Sequence, residues 1–240
     1  GVTVYLVPRS SHYFSWVCDR FQLYLKVKAL CEIEKIDLIE VPDFEGMCAF
    51  WPNAERPIIS RLHGSVSYFA NEMKSKVSKS TFMLERNSLA YSRAWVSTSE
   101  YTLKKTKNLF ELRPTIEKVI HNFVEVTGSV ELSNKLANFV IYTGSLVEKK
   151  GVYSLMKAWN IVSHKNRDLH LHIYGKDTRT SNGESVRAKM FDLLEEQAKR
   201  SVTFHGHVTA QEIKSLLSQA LIAVFPSYAE AFALAPLEAM

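Results

Sequence analysis

The chain has 240 residues, is 46% hydrophobic and 23% charged, and carries a formal net charge of +5. That composition describes ordinary globular material, long enough for two cores of about 100 to 150 residues each rather than one large domain. The longest apolar runs, such as Leu221 to Phe225, fall far below the ~18 residues a membrane-spanning helix requires, and Gly1 to Arg9 reads as a strand rather than a leader peptide, so a soluble cytoplasmic protein is expected.

In chain order, the first half reads as strands at Val2 to Leu6, Asp37 to Val41, Pro57 to Leu62, Ala94 to Ser97 and Lys118 to His121. Helices near Val17 to Glu34, Val66 to Val77, Ser80 to Tyr91 and Glu100 to Phe110 separate them. Cys18, Cys31 and Cys48 are odd in number, confined to this half and without paired metal-ligand spacing, which suits reduced thiols. Lys74, Lys76, Lys79, Lys104, Lys105 and Lys107 crowd two neighbouring helices. Solvated helix faces are the plainer reading, and peripheral contact with an anionic membrane the sharper one. His63 sits at the carboxyl end of the strand Pro57 to Leu62, where it could donate to a sugar hydroxyl or a phosphate.

The polar stretch Val126 to Asn138, which includes Gly128, is the expected hinge, dividing a first domain at 1–128 from a second at 129–240. Strands follow at Phe139 to Thr143, Leu169 to Tyr174, Val202 to His205 and Leu221 to Phe225. Val152, Leu155, Met156, Trp159 and Val162 lie on one face of the helix after Gly151, and Thr209 with Glu212 forms a capping box. This alternation predicts α/β domains with parallel sheets covered on both faces.

Three strands of the second half end in residues that expose backbone: Gly144 and Ser145 before Lys149 and Lys150, then Gly175, then Gly206 with His207 and Val208. In open parallel sheets that edge is where ligands bind. The His170/His172 and His205/His207 pairs alternate on strands without a third ligand at suitable spacing, which argues against zinc. No Walker loop and no Gly-x-Gly-x-x-Gly fingerprint occurs. At the end of the chain, Glu230 and Glu238 flank an apolar turn, and Pro236 predicts the first turn of a helix. A carboxylate beside such unpaired amides can accept from sugar hydroxyls while the amides attract an anion.

Taken together, Gly144 to Gly151, Gly175, Gly206 to Val208 and Pro226 to Met240 resemble the family 4 retaining glycosyltransferases of the GT-B fold. Ile58 to Ser65, Glu85, Ala94 to Ser99 and Lys118 to Glu125 are similar to segments of that family's first domain. The likeness is to members that build bacterial surface polysaccharides such as capsule. It implies two Rossmann-like, doubly wound domains facing a cleft, with the family's first strand and glycine-rich loop and its C-terminal part expected outside this chain, which on its own would then be inactive.

The resemblance also implies roles. Glu238 would accept from ribose hydroxyls, and Glu230 would contact the transferred sugar. The amides of Phe232, Ala233 and Leu234 would hold sugar and diphosphate, with Gly144, Ser145, Lys149 and Gly175 around them. Lys150 would face the diphosphate, Val208 the base, and His63 the transferred sugar. The partners implied are a UDP- or GDP-sugar donor and a glycan or lipid-linked acceptor, with no cofactor, no metal and no nucleic acid. The sequence departs from the family at Ser145, where an arginine is usual, at Ala231 and Ala233 in place of glycines, and at Phe123. Those departures motivate a second reading, a nucleotide-sugar-binding module that has lost catalysis.

Overall fold

The computed structural model describes residues 1–11, 15–52, 56–124 and 136–240. The chain divides into two compact units, Gly1–Asn122 and Phe123–Met240. The expected hinge and the 128/129 boundary lie largely outside the described residues.

In the first unit the elements are α1 (Ser15–Ile33), β1 (Ile39–Pro42), β2 (Ile58–Leu62), α2 (Val66–Glu72), α3 (Lys79–Tyr91), β3 (Ala94–Ser97), α4 (Glu100–Phe110) and β4 (Ile116–Val119). All strand pairs are parallel, in the order β1-β2-β3-β4. Strand β2 buries Ile58, Ser60 and Leu62. Leu62 joins Leu89, Trp95, Leu103 and Phe110 in one core, while Ile58 joins Val41, Cys48 and Trp51 beneath α1. The buried Trp95 ring satisfies its polar edge by donating from Nε1 to the Leu89 carbonyl at 3.2 Å.

The expected opening strand does not form. Val2, Val4 and Leu6 are 92%, 78% and 91% exposed, and β1 pairs with β2 alone. Strand propensity expresses itself only where a neighbouring strand and a core face receive it. This segment is tethered instead by side chains, Tyr5 to Glu34 and Arg9 to Glu45, both at 3.0 Å. Helix α2 stops at Glu72, short of the expected Val77, and β4 lies two residues before its expected position.

The second unit contains β5 (Phe139–Thr143), a 3₁₀ turn at Glu148–Lys150, α5 (Val152–Lys165), β6 (His170–Tyr174), α6 (Val186–Asp192), α7 (Glu196–Lys199), β7 (Val202–Gly206), α8 (Ala210–Gln219), β8 (Ile222–Ala223) and α9 (Leu234–Glu238). The order is β7-β6-β5-β8, all parallel. Strand β5 is buried along its whole length, as a central parallel strand covered on both faces must be. Val140 and Tyr142 face the core of α5 and α6, with Met156, Trp159 and Met190. Phe139 and Ile141 face Leu217 of α8. The last strand is shorter than expected, although Leu221 and Val224 still donate to the Phe139 and Ile141 carbonyls at 2.8 Å.

Chain order along this sheet reverses between β5 and β8. Loops leaving the carboxyl ends of strands on either side of such a reversal diverge and leave a crevice. Among the described residues no helix is long and apolar enough to cross a membrane.

Candidate functional site

The crevice at the β5/β8 reversal is a cleft of about 740 Å³, lined by residues from the exits of β5, β6 and β7 and from helices α8 and α9. Strand β5 and its exit contribute Thr143, Gly144 and Ser145, β6 and its exit contribute Tyr174, Gly175 and Lys176, and β7 is followed by His207 and Val208; Ala210, Ile213 and Lys214 of α8 and Ala235 and Glu238 of α9 complete it. Gly144, Ser145, Gly175, Val208 and Glu238, singled out in the sequence, therefore converge on one cavity.

The floor of the cleft is backbone, and its shape depends on glycine at one point. A Cβ on Gly175 would lie 1.8 Å from the Gly144 carbonyl oxygen. Gly144 N–H donates to the Tyr174 carbonyl and Leu146 N–H to the Lys176 carbonyl, both at 3.0 Å, and Gly175 N–H donates to Gly206 at 2.7 Å. Three strand exits are thus tied side by side with their ends open to the cavity.

Lys149, Lys150 and Glu230 form a separate cluster that is not part of the cleft lining. Lys150 Nζ and Glu230 Oε1 are 2.5 Å apart, both side chains about one-quarter exposed. Burial pushes the Lys149 ammonium below its usual range, with Lys150 acting in the same direction and Glu230 opposing. The cluster is stapled by backbone: Tyr228 N–H donates to the Lys149 carbonyl at 2.8 Å, and Ser154 bonds the Tyr228 hydroxyl. Gly151, at φ +70°, caps α5 where a Cβ would stand 1.9 Å from the Pro226 carbonyl oxygen.

The segment between the two acids differs from expectation in one respect. Helix α9 begins at Leu234, two residues before Pro236, and Glu238 closes this short helix rather than opening it. Proline is tolerated at its third position because the first amides of a helix have no intrahelical acceptor. Ala233 sits at φ −81°, and Ala231 is not among the residues with positive φ. The turn therefore avoids the left-handed region that glycines would have opened. Phe232, Ala233 and Leu234 precede or start α9 and are not among the residues lining the cleft.

In the first unit His63 is exposed on a loop whose backbone is clamped by two buried carboxylates. Asp43 accepts from the N–H groups of His63 and Gly64, both at 3.0 Å, and Glu85 accepts from Val66 at 2.9 Å and Ser67 at 3.0 Å. Ser65 caps α2 by accepting from Tyr68 N–H at 3.1 Å. The amides at the start of α2 are consumed within the protein. Burial pushes the Asp43 carboxyl up to about 7 against the pull of its two N–H donors, with Glu85 adding to the rise. Burial, then the Arg61 guanidinium, lower the His63 imidazole, and Glu40 opposes them. The clamp of Asp43 and Glu85 is invisible in sequence spacing, since the three segments meet only in the fold.

Two other sequence features resolve differently. His172 Nδ1 lies 2.9 Å from His205 Nε2, and the His205 ring stacks on Tyr174 with centroids 4.3 Å apart. These histidines are each other's partners across β6 and β7. Of the clustered lysines, Lys105 pairs with Glu72 at 3.1 Å and Lys107 with Glu117 at 2.6 Å. The cysteines are free thiols.

Residues 128–240 match the sequence model of the family Glycosyl transferases group 1. A curated relative, an uncharacterized glycosyltransferase YqgM of Bacillus subtilis (strain 168), is 25% identical over 184 residues, which cover 77% of this chain and 49% of that protein. The chain thus spans about half the length of the curated relative it matches. Sucrose-phosphate synthase from Thermosynechococcus elongatus superposes with a TM-score of 0.68 at 17% identity, covering 96% of this chain and 60% of that one. S. aureus TarM, solved in complex with fondaparinux, alpha-GlcNAc-glycerol and UDP, gives 0.62 at 18% identity, over 79% of this chain and 36% of that one. The pneumococcal O-GlcNAc transferase GtfA, in complex with UDP and GlcNAc, gives 0.60 at 16% identity, over 89% and 42%. Two parallel-sheet α/β units with this strand order are of the GT-B type, as the sequence implies.

Proposed function

We propose that the protein is a retaining glycosyltransferase that moves a sugar from a nucleotide diphosphate to a glycan or lipid-linked acceptor, as a step in building a polysaccharide. The observation that carries this reading is the cleft at the β5/β8 reversal, where backbone-exposing strand ends, two lysines and Glu238 meet. Such a cavity suits a ligand with a flat base, a diol and a diphosphate. Two of the matched structures, TarM and the O-GlcNAc transferase GtfA, were solved in complex with UDP, which supports the choice of donor.

In this reading Glu238 accepts from the ribose diol and Val208 borders the base. Glu230 reads hydroxyls of the transferred sugar, and Lys150, its ion-pair partner, turns to the diphosphate. The bond from the anomeric carbon to the diphosphate breaks, and the acceptor oxygen bonds to that carbon on the same face. The acceptor proton passes to the departing phosphate oxygen, so no enzyme nucleophile is required. The sequence has no Asp-x-Asp pair, and cationic side chains with backbone N–H groups stabilise the leaving group. His63, exposed on the first unit and with its imidazole pKa lowered by burial and Arg61, is a neutral donor suited to a sugar hydroxyl or a phosphate.

The binding-only reading draws on Ser145 and on the two alanines. The alanines lose their force, because Ala233 adopts an unstrained backbone. Calorimetry with UDP- and GDP-sugars on the whole protein tests the proposal. One of the two donors should bind, and Glu238→Ala should weaken it by about tenfold, the scale of a lost charged hydrogen bond. Lys150→Ala should slow transfer by about 2 to 4 kcal/mol of barrier. Unchanged binding in the first variant and an unchanged rate in the second would refute the roles.

A further inference from the structure

The loop leaving β5 offers the cleft no cation: it brings Gly144 and Ser145 to the lining, while Lys149 and Lys150 stand in the separate cluster with Glu230. The loop leaving β6 offers one. Lys176 follows Gly175 directly and lines the same cavity. Its position relative to Ser145 is fixed, because Leu146 N–H donates to the Lys176 carbonyl at 3.0 Å and Gly175 packs against Gly144.

The Lys176 ammonium is exposed and has no hydrogen bond or ion pair among the described residues. Its chain neighbour Asp177 does not neutralise it. That carboxylate accepts from the Ser185 hydroxyl at 2.7 Å and from Arg187 N–H at 2.9 Å, closing the start of α6. Lys214, the other lysine of the lining, already has an interaction within the protein. Glu238 is the carboxylate of the lining.

We propose that Lys176 is a second cation, beside Lys150, that neutralises the donor's diphosphate, supplying from the β6 exit the charge that Ser145 does not supply from the β5 exit. The assignment rests on the nucleotide-sugar reading of this cleft. A lysine here is a mobile point charge rather than a planar fork. It discriminates by charge, between diphosphate and monophosphate or nucleoside, and places few demands on phosphate orientation.

The test is calorimetry on the whole chain with UDP and GDP, and with the matching monophosphate and nucleoside. Lys176→Ala should weaken the preferred diphosphate by about tenfold or more, as expected for a lost charge-assisted hydrogen bond, and leave the nucleoside unchanged. Adding Ser145→Arg to that variant should recover most of the loss, because the second residue reaches the same space from the adjacent strand end. Equal affinity of wild type and Lys176→Ala for the diphosphate would overturn the proposal. So would an equal fold-loss for diphosphate and nucleoside, which would place Lys176 at the base. A wild-type protein that binds neither diphosphate would sink the nucleotide-sugar reading itself, a result separate from either of those.

Discussion

Asp43 is buried to 1% exposure at the carboxyl end of β1, with two N–H donors and a second buried carboxylate, Glu85, nearby. Desolvation outweighs the donors and holds it at about 7. Its folded value therefore lies above that of an unfolded aspartate, and the folded state holds the extra proton between the two. Stability from this group is present at low pH and declines as pH rises towards 7, with a slope of at most about 1.4 kcal/mol per pH unit. Urea unfolding across pH 4 to 8 should show that decline in the wild type and its loss in Asp43→Asn. The same variant should cost roughly 1 to 3 kcal/mol at low pH, because His63 and Gly64 donate to different carboxyl oxygens and an asparagine puts a donor NH₂ in the place of one of them. A pH dependence identical in both proteins would show that Asp43 titrates normally. Gly175→Ala is a second residue-scale case. Its Cβ has no room beside the Gly144 carbonyl, and overpacking of that kind costs about 1 to 3 kcal/mol. A thermal melt unchanged by this substitution would contradict the packing described. The glycine was legible in the sequence as a strand-end residue; the neighbour that makes it necessary was not.

Elements that bury a complete periodic face were legible in advance. Helix α5 buries Val152, Leu155, Met156 and Trp159, and β5 is buried throughout because both faces are covered. The cleft was legible for a related reason: in a parallel sheet all carboxyl ends lie on one edge, so Gly144, Gly175 and Val208 had to approach one another. Val2 to Leu6 misled because alternation alone does not supply a partner strand. Lys176 went unassigned because the side a lysine takes at a strand exit depends on how the next loop turns, and that is set by the distant Asp177 to Ser185 bond. Capping chemistry, by contrast, is local. Thr209 accepts from Glu212 N–H, and Glu212 returns the bond to Thr209 N–H at 2.8 Å. Thr209→Ala should destabilise α8 by about 1 kcal/mol. Chemical denaturation should register it, and a loss near zero would mean the packing of Leu217 on Phe139 and Ile141 holds α8 without its cap.

All residues lining the cleft, from Thr143 to Glu238, belong to the second unit. A nucleotide held there contacts lining residues of that unit, and ligand binding stabilises only the states that retain the bound conformation. If the two units open independently, UDP or GDP at about a hundred times its Kd should add roughly 2.7 kcal/mol of protection to amides of the second unit and none to the first. Hydrogen exchange reads this directly. The amides of Ile141 and Ile173, in β5 and β6, should slow about a hundredfold, while those of Ser60 and Val96, in β2 and β3, stay as they were. Equal slowing in both sheets would mean that the chain unfolds as one cooperative body, in which ligand affinity in the second unit depends on the integrity of the first. Under that outcome the Asp43 titration would also reach the cleft, and its ligand affinity would change with the occupancy of a proton on the other unit.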